Sequence, residues 1–584
     1  MPEAADRSLA TAAAEIIAAS FQTYVDRFRR VTLDARGHFE RRDWHSAQRD
    51  SKWRLDLYGE SVTEGLLVLR ALLGAQVTSR ATWNGLREAF ASRIAGRTEV
   101  ELAESFFNSF TRRIFLTVGV DPAVEFVASA SSAPPCSPPW SLTVRFDREG
   151  RHVDLYRRVL EHFRFAAPWR DAEADAAAIA TRVEQQVGEA RVRGLELARA
   201  VFHRGKGAYI VGVIRTDGPE VPFMLALRHP EGGIEVDAVL LTADEVSVVF
   251  SFARSYFLVD MERPRELVDF LRSIMPSKPV AELYNAIGCN KHGKTELYRS
   301  LLHHLETSSD RFEVAPGARG MVMCVFTLPG FDVVFKVIRD RFEFPKTVTH
   351  QEVRDKYRLV FHHDRAGRLV DAQEFDLLEF DAARFSAPLL RELTTEASES
   401  VTIRDGRVVL GHLYTERRLR PLDIYLRETD PEAAREAVID YGQVMRDLAA
   451  TVIFPGDMLL KNFGVSRHGR LIFYDYDELC PLSECRFRIL PTARRDEEET
   501  AQEPWYFVGE RDIFPEQFRN FLGLKGELLA AFLEHHGELL EVEFWHRMQE
   551  LHRRGEILDI YPYKSARRLR PPAPETEFPS IPRS

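Results

Sequence analysis

Residues 454–480 read "FPGDMLLKNFGVSRHGRLIFYDYDELC", and the reading of this stretch decides the fold. It has the pattern of a β-hairpin, with Asp457, Lys461 and Asn462 at one end and Asp475 and Asp477 at the other. Clustered carboxylates with an Asn between them are costly to hold together unless a cation or a phosphate shares the space. The spacing supplies a reason for the cluster. A kinase catalytic loop carries an Asp, an Asn five residues on that holds a metal, and a second metal-binding Asp after a short hairpin. Asp457, Asn462 and Asp475 follow that order. Asp457 is then the catalytic-loop carboxylate, Asn462 and Asp475 are Mg²⁺ ligands, and Lys461 is a cation near the transferred phosphoryl group. Two departures stand out: "FPGD" replaces His-Arg-Asp, and "DYD" replaces Asp-Phe-Gly, which adds a carboxylate at Asp477. A further carboxylate near the metals could position or deprotonate a water, the requirement for hydrolysing a phosphoester.

Working outward, "APGARGMVMCVF" places Ala315, Gly317, Gly320 and Val322 at the positions of a glycine-rich loop, where small residues let backbone N–H groups approach phosphate oxygens. Ala315 stands where the first Gly is usual and demands a backbone outside the left-handed region. Lys336, in the return strand "VVFKVI", is positioned to neutralise phosphates. Glu352, in "THQEVRDKYRLV", is the expected helix carboxylate that holds this Lys. A hairpin, a helix over 350–363, strands ending at "GHLYTERRL" and then helices from Pro421 onward is the element order of a two-lobed nucleotide-dependent kinase. In the helix opening at Asp430, Asp is the N-cap, Pro431 the first helical residue, and Ala434, Val438, Tyr441, Met445 and Leu448 form one apolar stripe.

The N-terminal half reads differently. Residues 8–127 have three-and-four apolar spacing and "SASSAPPCSPPWS" (129–141) interrupts it as an exposed loop. Residues 151–203 read as helix again, 204–241 as a β-meander with "TDGPE" and "HPEGG" turns, and the stretch to 307 as further helices. The expected class is α+β: a mainly helical domain with a small β-meander (1–307), then a kinase-like bilobal domain (308–566; N-lobe 308–415, C-lobe 416–566), then a disordered Pro-rich tail (567–584).

At 584 residues the chain exceeds a single core, and its net charge of −10 argues against nucleic acid or anionic lipid as a partner. Five scattered cysteines and the lack of a basic leader or a spanning apolar run point to the cytoplasm. Cys480 and Cys485 lack a second pair at zinc spacing, and the His pairs at 303–304, 362–363 and 535–536 share no ligand spacing. "GCNKHGKT" (288–295) matches the P-loop pattern literally, but "VAELYNAI" before it reads as helix rather than a buried strand, so a helix-linking turn is expected. "LIFYDYDEL" has the strand-plus-Asp-x-Asp form of a haloacid-dehalogenase phosphatase, without enough following sequence for that fold.

The runs "IFPGDMLLKNFGVSRHGRLIFYDYDE", "APGARGMVM", "HDRAGRLVDAQEF", "NKHGKTELYR" and "EPWYFV" resemble isocitrate dehydrogenase kinase/phosphatase, a bifunctional bacterial family, over nearly the whole chain. The resemblance implies phosphorylation and dephosphorylation of a serine on isocitrate dehydrogenase, which sets flux between the tricarboxylic acid cycle and the glyoxylate bypass. It implies ATP binding by Ala315, Pro316, Gly317, Ala318, Arg319, Gly320, Met321 and Lys336, with adenine contacts from Tyr414 through Glu416 to Arg417. It implies Mg²⁺, with Mn²⁺ as the alternative metal, AMP among the effectors of the N-terminal half, and an active-site Asp at Asp371. Spacing selects Asp457 instead, and both carboxylates stay candidates. A phosphotransferase acting on a small metabolite would share the cleft motifs and is the alternative.

Overall fold

The computed structural model describes residues 2–127, 142–251, 256–317, 319–343, 348–363, 365–491, 506–509 and 511–570. The loop expected at 129–141, and with it Cys136, lies outside the described residues, as does Ala318.

Three-and-four spacing of apolar residues builds the N-terminal bundle. Helices α1 (Pro2–Arg41) and α2 (Trp44–Leu73) are joined by a turn in which Arg42 takes a φ of 59° and Asp43 caps α2, accepting from the Ser46 N–H at 3.1 Å. With α3 (Arg80–Ile94) and α4 (Val100–Phe115) they enclose an aromatic core of Phe21, Trp83, Phe90, Phe106, Phe107 and Phe110.

Next comes a six-stranded antiparallel sheet. Strand β1 (Thr143–Asp147) precedes α5 (His152–His162) and α6 (Ala172–Val187). Strands β2 (Val192–Ala198), β3 (Phe202–Arg204), β4 (Gly207–Thr216), β5 (Val221–Arg228) and β6 (Glu235–Leu240) follow, in the order β1-β2-β4-β5-β6 with β3 on β4. The helical expectation for 151–203 thus holds only to Val187. The run "VRGLELA" is a strand because Leu195 and Leu197 face α5 and α6, where Leu155, Val159, Ile179 and Val183 meet them. Helices α7 (Ala243–Val249), α8 (Pro264–Ile274) and α9 (Val280–Ala286) cover the other face. A sheet buried on both sides loses the alternating signature of a half-exposed one, and so its first strands do not announce themselves.

Helix α10 (Asn290–Thr307) leads into the C-terminal half. There β7 (Glu313–Val314), β8 (Met323–Leu328), β9 (Phe331–Ile338), β10 (Ala372–Asp381), β11 (Val401–Arg404) and β12 (Arg407–Arg417) form an antiparallel sheet in the order β10-β12-β9-β8-β7, with β11 on β12. Helix α11 (His350–His363) and α12 (Ala387–Glu396) interrupt the strands. Leu301 and Leu305 of α10 join Leu389 and Leu393 of α12 against Phe326, Phe335 and Phe375 of the sheet. The opposite side, through Val353, Tyr357 and Val360 of α11, is continuous with the second lobe.

That lobe is helical with short strand pairs. Strand β13 (Arg420–Pro421), α13 (Leu422–Glu428), α14 (Pro431–Ala450), β14 (Ile453–Phe454), β15 (Phe463–Val465), β16 (Leu471–Phe473) and β17 (Cys480–Pro481) precede helices Gly526–His536 and Val542–Arg553. The Asp430 carboxylate accepts from the Glu432 and Ala433 N–H groups, and the α14 stripe of Ala434, Val438, Tyr441, Met445 and Leu448 is buried. Of the stretch expected to be a tail, residues 567–570 pack on the first sheet and α6: Arg568 meets Asp237 of β6 at 3.0 Å and Arg570 meets Asp175 of α6 at 2.6 Å. Residues 571–584 lie outside the described residues. No helix among the described residues is long and apolar enough to cross a membrane.

Candidate active site

The 454–480 hairpin is held from beneath. Strands β15 and β16 pair antiparallel, Phe463 opposite Phe473. The segment before β10 runs alongside β16: Phe473 N–H donates to Arg368 O at 2.8 Å and Val370 N–H to Phe473 O at 3.2 Å. Arg368, 4% exposed, places its guanidinium between Asp440 (2.7 Å) and Asp447 (2.7 Å) of α14 and donates to Leu471 O at 3.0 Å. The Asp440 carboxylate also accepts the Leu471 N–H at 2.7 Å. Both backbone groups of the return strand's first residue are therefore fixed by one buried ionic cluster. Burial alone would raise the Asp440 carboxyl, but the Arg368 guanidinium outweighs it and holds the group below the usual range.

At the top of the hairpin, Asn462 is buried and its side-chain amide donates to Asp457 O at 3.3 Å. One Asp457 carboxylate oxygen accepts the Leu459 N–H at 3.2 Å. Burial raises the Asp457 carboxyl; the Leu459 and Asn462 hydrogen bonds pull it down, and the charges of Asp475 and Glu478 add to the rise. A carboxyl raised by burial beside other carboxylates is the form a proton acceptor takes. Gly456, at φ 78°, lets the loop pass within contact of Glu478, whose carbonyl oxygen would lie 2.5 Å from a Cβ there. Lys461 is exposed, and the Tyr474 hydroxyl donates to its carbonyl oxygen.

Lys336 reaches this hairpin from β9. Its ammonium group donates to Tyr474 O at 3.0 Å, one residue from Asp475, and pairs with Glu416 at 2.7 Å. The expected partner, Glu352, is not involved. It is exposed and closes a capping box at the start of α11, accepting from the Thr349 N–H at 2.6 Å while Thr349 Oγ1 accepts the Glu352 N–H at 3.2 Å. The carboxylate that holds Lys336 comes from a strand instead. Strands β9 and β12 pair with Tyr414 opposite Lys336 and Glu416 opposite Val334, so Glu416 lies diagonal to Lys336 on one face. The Tyr414 ring, 1% exposed, stacks on Tyr357 of α11 at 3.7 Å between centroids. Arg417 is paired with Glu282 of α9 at 3.1 Å.

The glycine-rich loop spans β7 and β8. Ala315 N–H donates to Val325 O at 3.0 Å, with Pro316, Gly317 and Arg319 exposed and Met321 half-buried. Gly317 has a φ of 120°, whereas Ala315 is outside the positive-φ region, as its side chain requires. Arg339, 1% exposed in its side chain, donates to Gly320 O at 3.0 Å and pairs with Glu392 of α12, tying the loop to the sheet. Asp371 is the outlier. It begins one residue beyond the strip that pairs with β16, but its carboxylate accepts from Asn285 of α9 at 3.1 Å and from Gln373 at 3.4 Å. Asp477 is half-buried and bears on Tyr357, whose phenol is raised by burial first and by the charges of Glu416 and Asp477 among others.

Residues 310–565 match the family described as isocitrate dehydrogenase kinase/phosphatase (AceK) kinase domain, and residues 14–309 match the regulatory domain of the same enzyme. A protein of Anaeromyxobacter sp. (strain Fw109-5) named isocitrate dehydrogenase kinase/phosphatase is 50% identical over 565 residues, 96% of this chain and 98% of its own. Relatives of the same name from Anaeromyxobacter dehalogenans (strain 2CP-C) and Xanthomonas euvesicatoria pv. vesicatoria (strain 85-10) are 49% and 43% identical, covering 96% and 97% of this chain and 98% and 99% of theirs. The chain belongs to the isocitrate dehydrogenase kinase/phosphatase family.

The competing motifs resolve within that frame. Of "GCNKHGKT", expected as a helix-linking turn, only Gly288 and Cys289 lie between α9 and α10; Asn290 to Thr295 are the first turns of α10, and Gly293 sits where a Cβ would come within 2.7 Å of Ala281 O. No strand precedes it to aim a phosphate loop. Among the described residues no three His, Cys, Asp or Glu side chains converge as a ready metal cage. The hard oxygen donors of Asp475 and Asn462 still fit Mg²⁺, which is usually held by one or two carboxylates together with substrate phosphates. Cys480 and Cys485 sit with their sulfurs 3.5 Å apart as free thiols.

Proposed function

We propose that this chain transfers the γ-phosphoryl group of ATP to a serine of isocitrate dehydrogenase and also removes it, both in the cleft between Lys336 and the 454–480 hairpin. The observation that carries this reading is the convergence of Lys336, through Tyr474 O, on the segment bearing Asp457, Asn462 and Asp475. In this reading Lys336 neutralises phosphate oxygens, and the loop from Ala315 to Met321 lays backbone N–H groups over them. Asp475 and Asn462 would hold Mg²⁺, which screens the phosphates and stabilises charge in the transition state. Asp457 orients the serine hydroxyl and takes its proton; its raised carboxyl suits that task. Lys461, exposed beside it, meets the phosphoryl group in flight. For release, Asp477 directs a water at phosphoserine. Asp371, bonded to Asn285 of α9, is assigned to linking the cleft with the N-terminal half, where AMP would act as effector. The setting is the cytoplasm.

The family relatives carry isocitrate dehydrogenase in their name, which favours a protein substrate over a metabolite. The test is a pair of variants, Lys336→Met and Asp457→Ala, assayed for phosphate incorporation into isocitrate dehydrogenase and for release from the phosphorylated form. One shared cleft predicts loss of both activities in both variants. Loss of incorporation with release untouched would refute it.

A further inference from the structure

In protein kinases the phosphate-binding Lys is held by a Glu on the mobile helix that follows it, so swinging the helix breaks the pair. Here that helix is α11, and its first-turn carboxylate, Glu352, is consumed in a capping box at the exposed N-terminus. What α11 sends into the cleft is Tyr357. Its side chain is 3% exposed, its ring lies flat on Tyr414 with 6° between the planes, and its hydroxyl donates to Glu416 at 3.0 Å. The other Glu416 carboxylate oxygen meets the Lys336 ammonium at 2.7 Å. Glu416 is 2% exposed.

We propose that Glu416 and Tyr357 are the positioning residues for Lys336: the strand carboxylate replaces the helix carboxylate, and α11 is coupled to the phosphate-binding Lys through one hydroxyl group. The inference rests on the cleft assignment above.

The geometry supports a division of labour. Lys336 and Glu416 sit on neighbouring strands whose register is set by four backbone pairings, Tyr414 to Lys336 through Arg417 to Val333. Their pairing therefore survives movements of α11. What such a movement would break is the hydrogen bond to Glu416, which leaves a buried carboxylate with one donor fewer and lets it drift from the orientation that fixes the ammonium group. Tyr357 in turn is clamped by the Tyr414 ring and by the edge of Tyr476, 5.2 Å away, in the same segment as Asp475 and Asp477. One phenol thus touches the groups on both sides of the cleft.

The experiment uses the full chain with Mg²⁺–ATP and isocitrate dehydrogenase, and measures KM for ATP, kcat, ATP affinity by calorimetry and thermal unfolding. Tyr357→Phe keeps the stack and removes only the hydroxyl; a hydrogen bond to a charged group predicts a rise of about tenfold in both KM and Kd for ATP, with kcat within about twofold and the unfolding temperature nearly unchanged. Glu416→Gln should raise KM further, on the order of a hundredfold, and Glu416→Asp should recover part of that loss by restoring the charge. Glu352→Gln is the control and should leave ATP affinity as it was. The proposal is overturned if Tyr357→Phe leaves ATP affinity unchanged or improves it, if Glu416→Gln binds ATP as well as the unaltered chain, or if Glu352→Gln has the larger effect. Failure of the unaltered chain to bind ATP at all would instead overturn the cleft assignment beneath it.

Discussion

Removing the Arg368 guanidinium should loosen the hairpin on which the whole account depends. In Arg368→Met, four hydrogen bonds disappear: one to Asp447, two to Asp440 and one to Leu471 O. Asp440 keeps the Leu471 N–H and Asp447 keeps the Gln443 amide at 2.7 Å, but both lose their hydrogen-bonded cation and are left with the more distant charge of Arg470. Breaking a buried ion pair by deleting one partner costs about 3–5 kcal/mol, a large share of the ~5–15 kcal/mol that holds a domain folded. With a urea m-value near 3 kcal/mol/M, the midpoint should fall by roughly 1–2 M. The penalty should also depend on pH, and the sign follows from linkage. In the native chain the folded Asp440 carboxyl lies below its unfolded value, so its contribution is present above the unfolded pKa and lost as pH falls through the folded one. Without Arg368 the strongest influence holding that carboxyl down is gone, so it rises, and lowering the pH costs the variant less than it costs the parent. The difference between variant and parent should therefore shrink from neutral pH to about two units below. Urea unfolding followed by tryptophan fluorescence measures the loss, and Trp545, buried against Phe454 and Phe487, is a C-lobe reporter among the chain's seven Trp residues. Adding Asp440→Asn to Arg368→Met should restore part of the loss, since one buried carboxylate, Asp447, then remains against one buried guanidinium, Arg470. A loss under about 1 kcal/mol that does not vary with pH would refute the reasoning.

Other outcomes follow from single contacts. Gly456→Ala puts a Cβ 2.5 Å from Glu478 O at a φ of 78°, so the catalytic loop must shift and kcat for phosphorylation should fall about tenfold or more, with KM for ATP nearly unmoved. Lys294, of the P-loop-like stretch, has its ammonium 4.7 Å from the Phe375 ring, and burial pushes its pKa down to about 7. Because the folded chain releases this proton before the unfolded chain does, thermal stability should climb as pH rises from about 7 toward 10, and Lys294→Met should flatten that climb while leaving KM for ATP within about twofold. Arg339→Met removes the donor to Gly320 O and should raise KM for ATP severalfold through a slack glycine-rich loop, measured against kcat.

The parts of the site that sequence reveals are those close in the chain. Asp457, Asn462 and Asp475 belong to one hairpin, so their spacing alone brings them together, and the structure keeps them together. The apolar stripe and Asp430 cap of α14 are local in the same way. Lys336 is legible as a strand Lys, but its partner is not, because the pairing of β9 with β12 joins strands separated by two helices and two other strands. The choice of Glu352 neglected a local signal that was present: Thr349 three residues before Glu352 spells a capping box. Strand β2 stays hidden for a different reason, since it lies inside a sheet covered on both faces, with little alternation to read. Arg368 offers no motif at all; its role exists only once α14, β16 and the 368–370 strip meet.

The most direct test of the central claim is a paired assay of wild type and Asp477→Ala: phosphate incorporation from Mg²⁺–ATP into isocitrate dehydrogenase, and phosphate release from the phosphorylated enzyme. One cleft with an added carboxylate predicts that wild type performs both and that the variant retains incorporation but loses most release. If the variant loses both equally, or keeps release, Asp477 is not the hydrolytic adaptation; release kept at the wild-type rate while incorporation is lost would contradict the one-cleft account itself.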